Sequence, residues 1–248
     1  MRDQTHDPQL HDARRLLQTE GSPSVLQQAL DGRTVESRRM NARLYVAWIE
    51  LKEITMRLPL LSPAELTSEQ LRLYENYEKM TEAEEYQGFE VKNSDGAFVG
   101  PWGVMLHFPQ LAVPLGQFIG VAQKLDGISE RARQVVILTL GGRFNVAYEL
   151  YAHTALAVRA GLRPDQVAAL SAGARPADLS EDELLAADIA CALTRGGPVP
   201  GPLYDAAVAK LGQDGFDAVV FITIHYLALG MLLNAYDVPT GRPVTPIA

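Results

Sequence analysis

Sulfur chemistry has almost nothing to work with in this chain: one cysteine, Cys191, among 248 residues. A single thiol excludes an intramolecular disulfide and a Cys-x-x-Cys redox pair. Positive charge is scarce as well. Lys and Arg total 22 against 30 Asp and Glu, leaving a net charge of −8. A field of that sign repels phosphate backbones and anionic lipid, so neither nucleic acid nor a membrane is expected as a partner. The opening MRDQTHDPQL lacks the apolar stretch of a secretory leader. The apolar run 218–233 covers 16 residues and carries His225 in its middle, short of the roughly 20 residues that cross a bilayer. It reads as a core helix. A soluble, reduced, cytoplasmic protein is the expectation. With 47% hydrophobic and 21% charged residues, the chain can build a sizeable core.

Strand-type alternation is almost missing too. VVIL (135–138) and VVFITI (219–224) are β-rich, but both lie inside longer helical spans, and length favours helix. The fold class expected is all-α. Two short helices are expected between residues 8 and 31, the second capped by Ser22 with Pro23 at its first position. A longer one follows over 34–56, stopped by Arg57-Leu58-Pro59. A polar helix is expected from Thr67 to about Glu85, then a loop over 86–99 with a turn at Asn93-Ser94-Asp95-Gly96. Three helices are expected at about 109–124, 129–141 and 145–160, the last two separated by Gly141-Gly142, with Gly161 as C-cap. Arg163-Pro164-Asp165 and Ser180 start two more, and Pro202 and Asp214 precede the final two.

The stretch 145–160 carries chemistry. Glu149 and His153 stand four apart, neighbours on one helix face, with Tyr148 beside them. A carboxylate next to an imidazole fixes its tautomer and raises its pKa, which suits proton transfer. The same spacing also fits a Glu–His pair on a solvated face. Cys191, inside AADIACALT, reads as a small core residue.

AYELYAH (147–153) and the Ala-rich helix after it resemble the carboxymuconolactone decarboxylase family, relatives of the AhpD-like alkylhydroperoxidases. Four further segments match that family in order: RLPLLSPAELTSEQLRLYE (57–75), GPWGVMLHFPQLA (100–112), SERARQVVILTL (129–140) and HYLALGMLLNAYDVP (225–239). The resemblance covers about residues 56–240 and implies an AhpD-like helical bundle over 56–248. Residues 1–55 exceed the pattern and are expected to form a helical arm.

The resemblance also implies roles. The peroxidase branch carries its Cys-x-x-Cys at positions that here are Val146 and Glu149, and a glutamate where Gln134 stands. Thiol peroxidase chemistry is therefore not expected. The branch without cysteines carries Tyr-Glu-Trp-x-x-His, matched here by Tyr148, Glu149, Leu150 and His153, with leucine for tryptophan. In that branch the histidine handles a proton during loss of carbon dioxide. His153 is thus the expected catalytic acid and Glu149 its orienter or relay. Tyr148, Gln134, His107, His225, Tyr226 and Arg143 are the expected substrate contacts, and Arg57 is a second possible carboxylate clamp. The resemblance points to a lyase or isomerase needing no cofactor, acting on a small cyclic or conjugated acid or lactone. A homo-oligomer (dimer, trimer or hexamer) is implied as well. Two other readings compete: a non-catalytic helical assembly protein, and a metal-dependent oxygenase or hydrolase built from dispersed histidines.

Overall fold

The computed structural model describes residues 56–240, and the arm expected over 1–55, with its helices, lies outside the described residues. Two capping residues open the described part. Ser62 caps a 3-10 turn at Pro63–Glu65, and Thr67 caps helix α1, Ser68–Thr81, each through a reciprocal capping box. The polar helix ends at Thr81, four residues before the expected end, and a separate 3-10 turn covers Glu84–Tyr86. The expected turn at 93–96 is present: the Asn93 side chain accepts from the Asp95 and Ala97 amides. One antiparallel bridge, Lys92 with Phe98, is the extent of β-structure among the described residues.

Seven helices follow: α2 (Gly100–Met105), α3 (Pro109–Ala122), α4 (Glu130–Phe144), α5 (Ala147–Arg159), α6 (Pro164–Ser171), α7 (Glu181–Leu193) and α8 (Gly201–Ala235). Helix α4 is the centre. It packs against α5, α6, α7 and α8, and Val135, Val136, Ile137, Leu138 and Leu140 are all buried. A helix enclosed on most sides has no wide polar face, which is why VVIL reads as strand when taken alone. Each such aliphatic side chain contributes about 1.5–3 kcal/mol on burial. Ala132, Val136, Ile137 and Leu140 meet Ile189 of α7 and Val219, Ile222 and Tyr226 of α8 in one cluster.

Gly141-Gly142 does not end α4 as expected. The helix runs on to Phe144, and Asn145 terminates it in the left-handed region (φ 52°, ψ 51°). Gly142 serves close packing instead, since a Cβ there would lie 2.2 Å from the Leu170 carbonyl oxygen of α6. Asn234 of α8 donates to the Phe144 carbonyl at 2.8 Å, fixing the α4–α5 turn. The two final helices form one run that kinks at Gly212 (φ 73°). Among the described residues α8 alone is long and apolar enough to cross a membrane, and half of its most apolar stretch is buried in the fold.

Arg131 of α4 ties the bundle ends together. Its Nε lies 2.6 Å from the buried Glu183 carboxylate of α7, and its Nη1 donates to the Gly161 carbonyl. Burial pushes Glu183 up, but the hydrogen bonds from Arg131 and the Ser180 amide outweigh it and hold the carboxyl below its usual range.

Candidate active site

Helices α4, α5 and α8 bring four of the expected residues together: Gln134, Glu149, His153 and Tyr226. The ring of His153 meets Tyr226 edge-on, with centroids 5.0 Å apart. His225 adjoins the same tyrosine, centroids 4.3 Å apart. A Cβ at Gly230, one turn after Tyr226, would stand 3.5 Å from both Glu149 oxygens. A cavity of about 220 Å³ opens here, lined by Glu149, Tyr226, Gly230, Leu140, Val146 and Phe144, with exposed Met231 at its edge. A wider groove of about 570 Å³ lies along α1, lined by Glu75, Glu78, Glu82, Lys79 and Lys92. It is walled largely by charged surface side chains and includes none of the expected residues.

Glu149 is not the orienter of His153. Both carboxyl oxygens are buried and lack a hydrogen-bond partner, and the residue is only 4% exposed. Gln134 holds the imidazole instead, its Oε1 2.9 Å from His153 Nδ1. The amide is itself oriented, because Gln134 Nε2 donates to Glu130 Oε1 at 2.7 Å. A carboxylate only accepts, so the amide oxygen must face His153. The Nδ1 atom then carries the hydrogen, and Nε2 keeps the lone pair.

The direction of the histidine shift is also opposite to expectation. Burial, with His225 nearby, lowers the His153 pKa to about 3. Burial likewise lowers His225 to about 4, with the Arg133 charge adding to it. Glu149 moves the other way, raised well above 4.5 by burial in a site that supplies no compensating charge or hydrogen bond. Burial therefore favours the protonated carboxylic acid on Glu149 and the uncharged imidazole on His153. Two titratable groups pushed apart in this way can divide the roles of acid and base.

The other expected residues lie apart. Tyr148 is buried among Trp102, Val99 and Tyr151, and its hydroxyl donates to the Glu90 carbonyl at 2.7 Å. One residue along α5 turns it about 100° from Glu149, enough to place it in a different core cluster. His107 Nε2 lies 2.8 Å from the Pro59 carbonyl, donating to it and anchoring the incoming chain. Arg143 is exposed, with its guanidinium over the Phe144 ring. Arg57 donates to the Ala235 carbonyl and closes the end of α8. Cys191 is partly exposed on α7 rather than sealed in the core. Among the described residues, no group of three or more His, Cys, Asp or Glu side chains is placed to hold a metal ion.

Sequence reasoning missed Gly230, Phe144 and Met231. Gly230 had a signal: glycine inside a helix costs about 1 kcal/mol relative to alanine, so it marks a close approach.

No protein-family model matches the chain, and no curated protein matches it. A solved structure does. It is the crystal structure of an alkylhydroperoxidase AhpD core, an uncharacterized peroxidase-related protein from Ralstonia eutropha JMP134. The two superpose with a TM-score of 0.60 at 13% identity, over 75% of this chain and 92% of that one. The fold is all-α and AhpD-like. At that identity the likeness concerns the fold, and the chemistry must be argued from the side chains.

Proposed function

We propose that this AhpD-like protein is a lyase or isomerase of the carboxymuconolactone decarboxylase type, acting on a small cyclic or conjugated carboxylic acid or lactone without a cofactor. The observation that carries this reading is the Glu149 carboxyl: buried, unpartnered and lining a cavity, one helical turn from an imidazole that Gln134 holds in one tautomer. Glu149 serves as the acid and His153 as the proton acceptor or relay. In a decarboxylation, the bond to the departing carboxylate breaks and its electron pair moves into the conjugated carbonyl. Carbon dioxide leaves, the Glu149 O–H protonates the resulting dienolate at carbon, and solvent returns the proton to Glu149. In an isomerisation, His153 Nε2 removes a proton, Glu149 delivers one at a second carbon, and solvent carries the proton from the imidazolium back to the Glu149 carboxylate. Apolar walls from Leu140, Val146 and Phe144 limit the water that reaches the reacting carbon.

A thiol peroxidase reading finds little support, because Val146 and Glu149 occupy the positions where the resemblance places the redox cysteines. We further propose a cytoplasmic homo-oligomer. Exposed Leu111, Val113 and Val121 on α3 and Phe221, Ile224 and Met231 on α8 form the kind of apolar surface that a second copy covers.

The test is turnover on a panel of lactone and conjugated acids in deuterated water, reading carbon dioxide release and deuterium entry into product. Glu149→Gln is expected to lower turnover by about two to four orders of magnitude while changing KM much less. Full turnover in that variant would sink the reading.

A further inference from the structure

Glu130 stands in the first turn of α4, directly after the Ser129 cap. The helix dipole favours a carboxylate there whatever else it does. Helical spacing puts two further groups on its face, Arg133 three positions on and Gln134 four on. The two carboxylate oxygens are divided between them. Oε2 lies 3.4 Å from Arg133 Nε, and Oε1 accepts from Gln134 Nε2 at 2.7 Å. Arg133 is itself held, since its Nη2 donates to the Leu125 carbonyl at 3.1 Å. The Glu130 side chain is 61% exposed, whereas Gln134 is 3% exposed. With the 2.9 Å contact from Gln134 Oε1 to His153 Nδ1, the row Glu130–Gln134–His153 runs from the surface into the site.

A buried primary amide has two orientations of nearly the same shape. With its oxygen toward His153 it accepts from Nδ1–H. Turned over, its NH2 would donate to a bare Nδ1 and leave the hydrogen on Nε2. His153 does not select between them, because a neutral imidazole can offer either nitrogen as the donor. The selection is made at the other end. A turned amide would set its oxygen against Glu130 Oε1, acceptor against acceptor, and would lose a charge-assisted hydrogen bond.

We propose that Glu130 is a positioning residue: from the protein surface it sets, through Gln134, which nitrogen of His153 keeps its lone pair. Neutralising Glu130 lets the amide turn. A fraction of the molecules then carries Nε2–H, a donor where proton removal needs an acceptor. The consequence for rate rests on the proton-transfer reading above, and the control of the tautomer does not.

Two-bond proton–nitrogen correlation NMR on the full chain with labelled histidine reads the tautomer without any ligand, His153 being assigned against His153→Ala. Wild type near neutral pH is expected to show Nδ1 protonated and Nε2 at the shift of a bare ring nitrogen. Glu130→Gln offers Gln134 both a donor and an acceptor. The tautomer preference should therefore fall about 10- to 100-fold, the worth of a hydrogen bond to a charged group, and Nε2–H should become populated. Glu130→Ala should release the tautomer as well. If Glu130 only steadied the helix, both variants would melt lower with the His153 shifts unmoved, and the proposal would be overturned. A wild-type His153 protonated at Nε2 would overturn it too. On any acid or lactone of the panel that the protein isomerises, proton removal should fall about 2- to 10-fold in these variants, in step with the lost fraction of Nε2 acceptor, with KM little changed. A changed tautomer with undiminished proton removal would refute His153 as the proton acceptor and leave the control by Glu130 standing.

Discussion

Replacing Glu149 by glutamine should make the protein less sensitive to rising pH. The carboxyl is buried and unpartnered, so the fold holds it protonated above the 4.5 of an ordinary glutamate. The unfolded chain ionises near 4.5, so each pH unit above that value costs the folded state about 1.4 kcal/mol until the folded pKa is reached. Glutamine has nearly the same shape and no charge to lose, but it buries an amide that lacks partners, at about 1–3 kcal/mol. The two contributions oppose each other, and only the first changes with pH, so the slope decides. Urea unfolding between about pH 5 and 8 should show the stability of Glu149→Gln relative to wild type climbing by up to about 1.4 kcal/mol per unit. His153 and His225 contribute with the opposite sign: their lowered pKa values supply stability that is lost as pH falls below 6.5. They are present in both proteins and cancel in the difference. A difference that stays flat across this range would mean that the folded carboxyl is ionised, and the reasoning would fail.

Gly230→Ala sets a methyl 2.9 Å from Val146 Cγ2 and 3.5 Å from both Glu149 oxygens. The helix gains about 1 kcal/mol while overpacking costs about 1–3 kcal/mol, so the melting temperature should move little while turnover falls about 10-fold or more. His225→Phe should remove part of the acid sensitivity. Wild type should lose about 3 kcal/mol as pH falls from 6.5 toward about 4 on account of this residue, and unfolding curves of the variant should lack that loss.

Helix type and order were legible in the sequence wherever capping residues and prolines punctuated it: Thr67, Ser129, Ser180 and Pro164 all begin helices as expected. Gly141-Gly142 misled because a glycine pair looks the same whether it breaks a helix or admits a neighbour, and only the approach of Leu170 distinguishes them. The spacing of Glu149 and His153 put them on one face of α5, as observed, but it held no information on which partner each would find. That partner for His153 comes from Gln134, 19 positions earlier on another helix. Both pKa directions follow from burial, which a one-dimensional pattern does not report. Tyr148 shows the finer limit: adjacency in sequence placed it beside Glu149, and helical rotation carried it into the Trp102 cluster.

The central claim is that Glu149 is a neutral acid at physiological pH, and infrared difference spectroscopy of wild type against Glu149→Gln reads it directly. Glu183, also buried, is held below its usual range with Arg131 as its partner, so it is ionised and adds no acid signal. The account predicts the carbonyl stretch of a protonated carboxylic acid at neutral pH, absent from the Gln variant and fading as pH rises. A wild-type spectrum at neutral pH that loses only ionised carboxylate bands on substitution would contradict it.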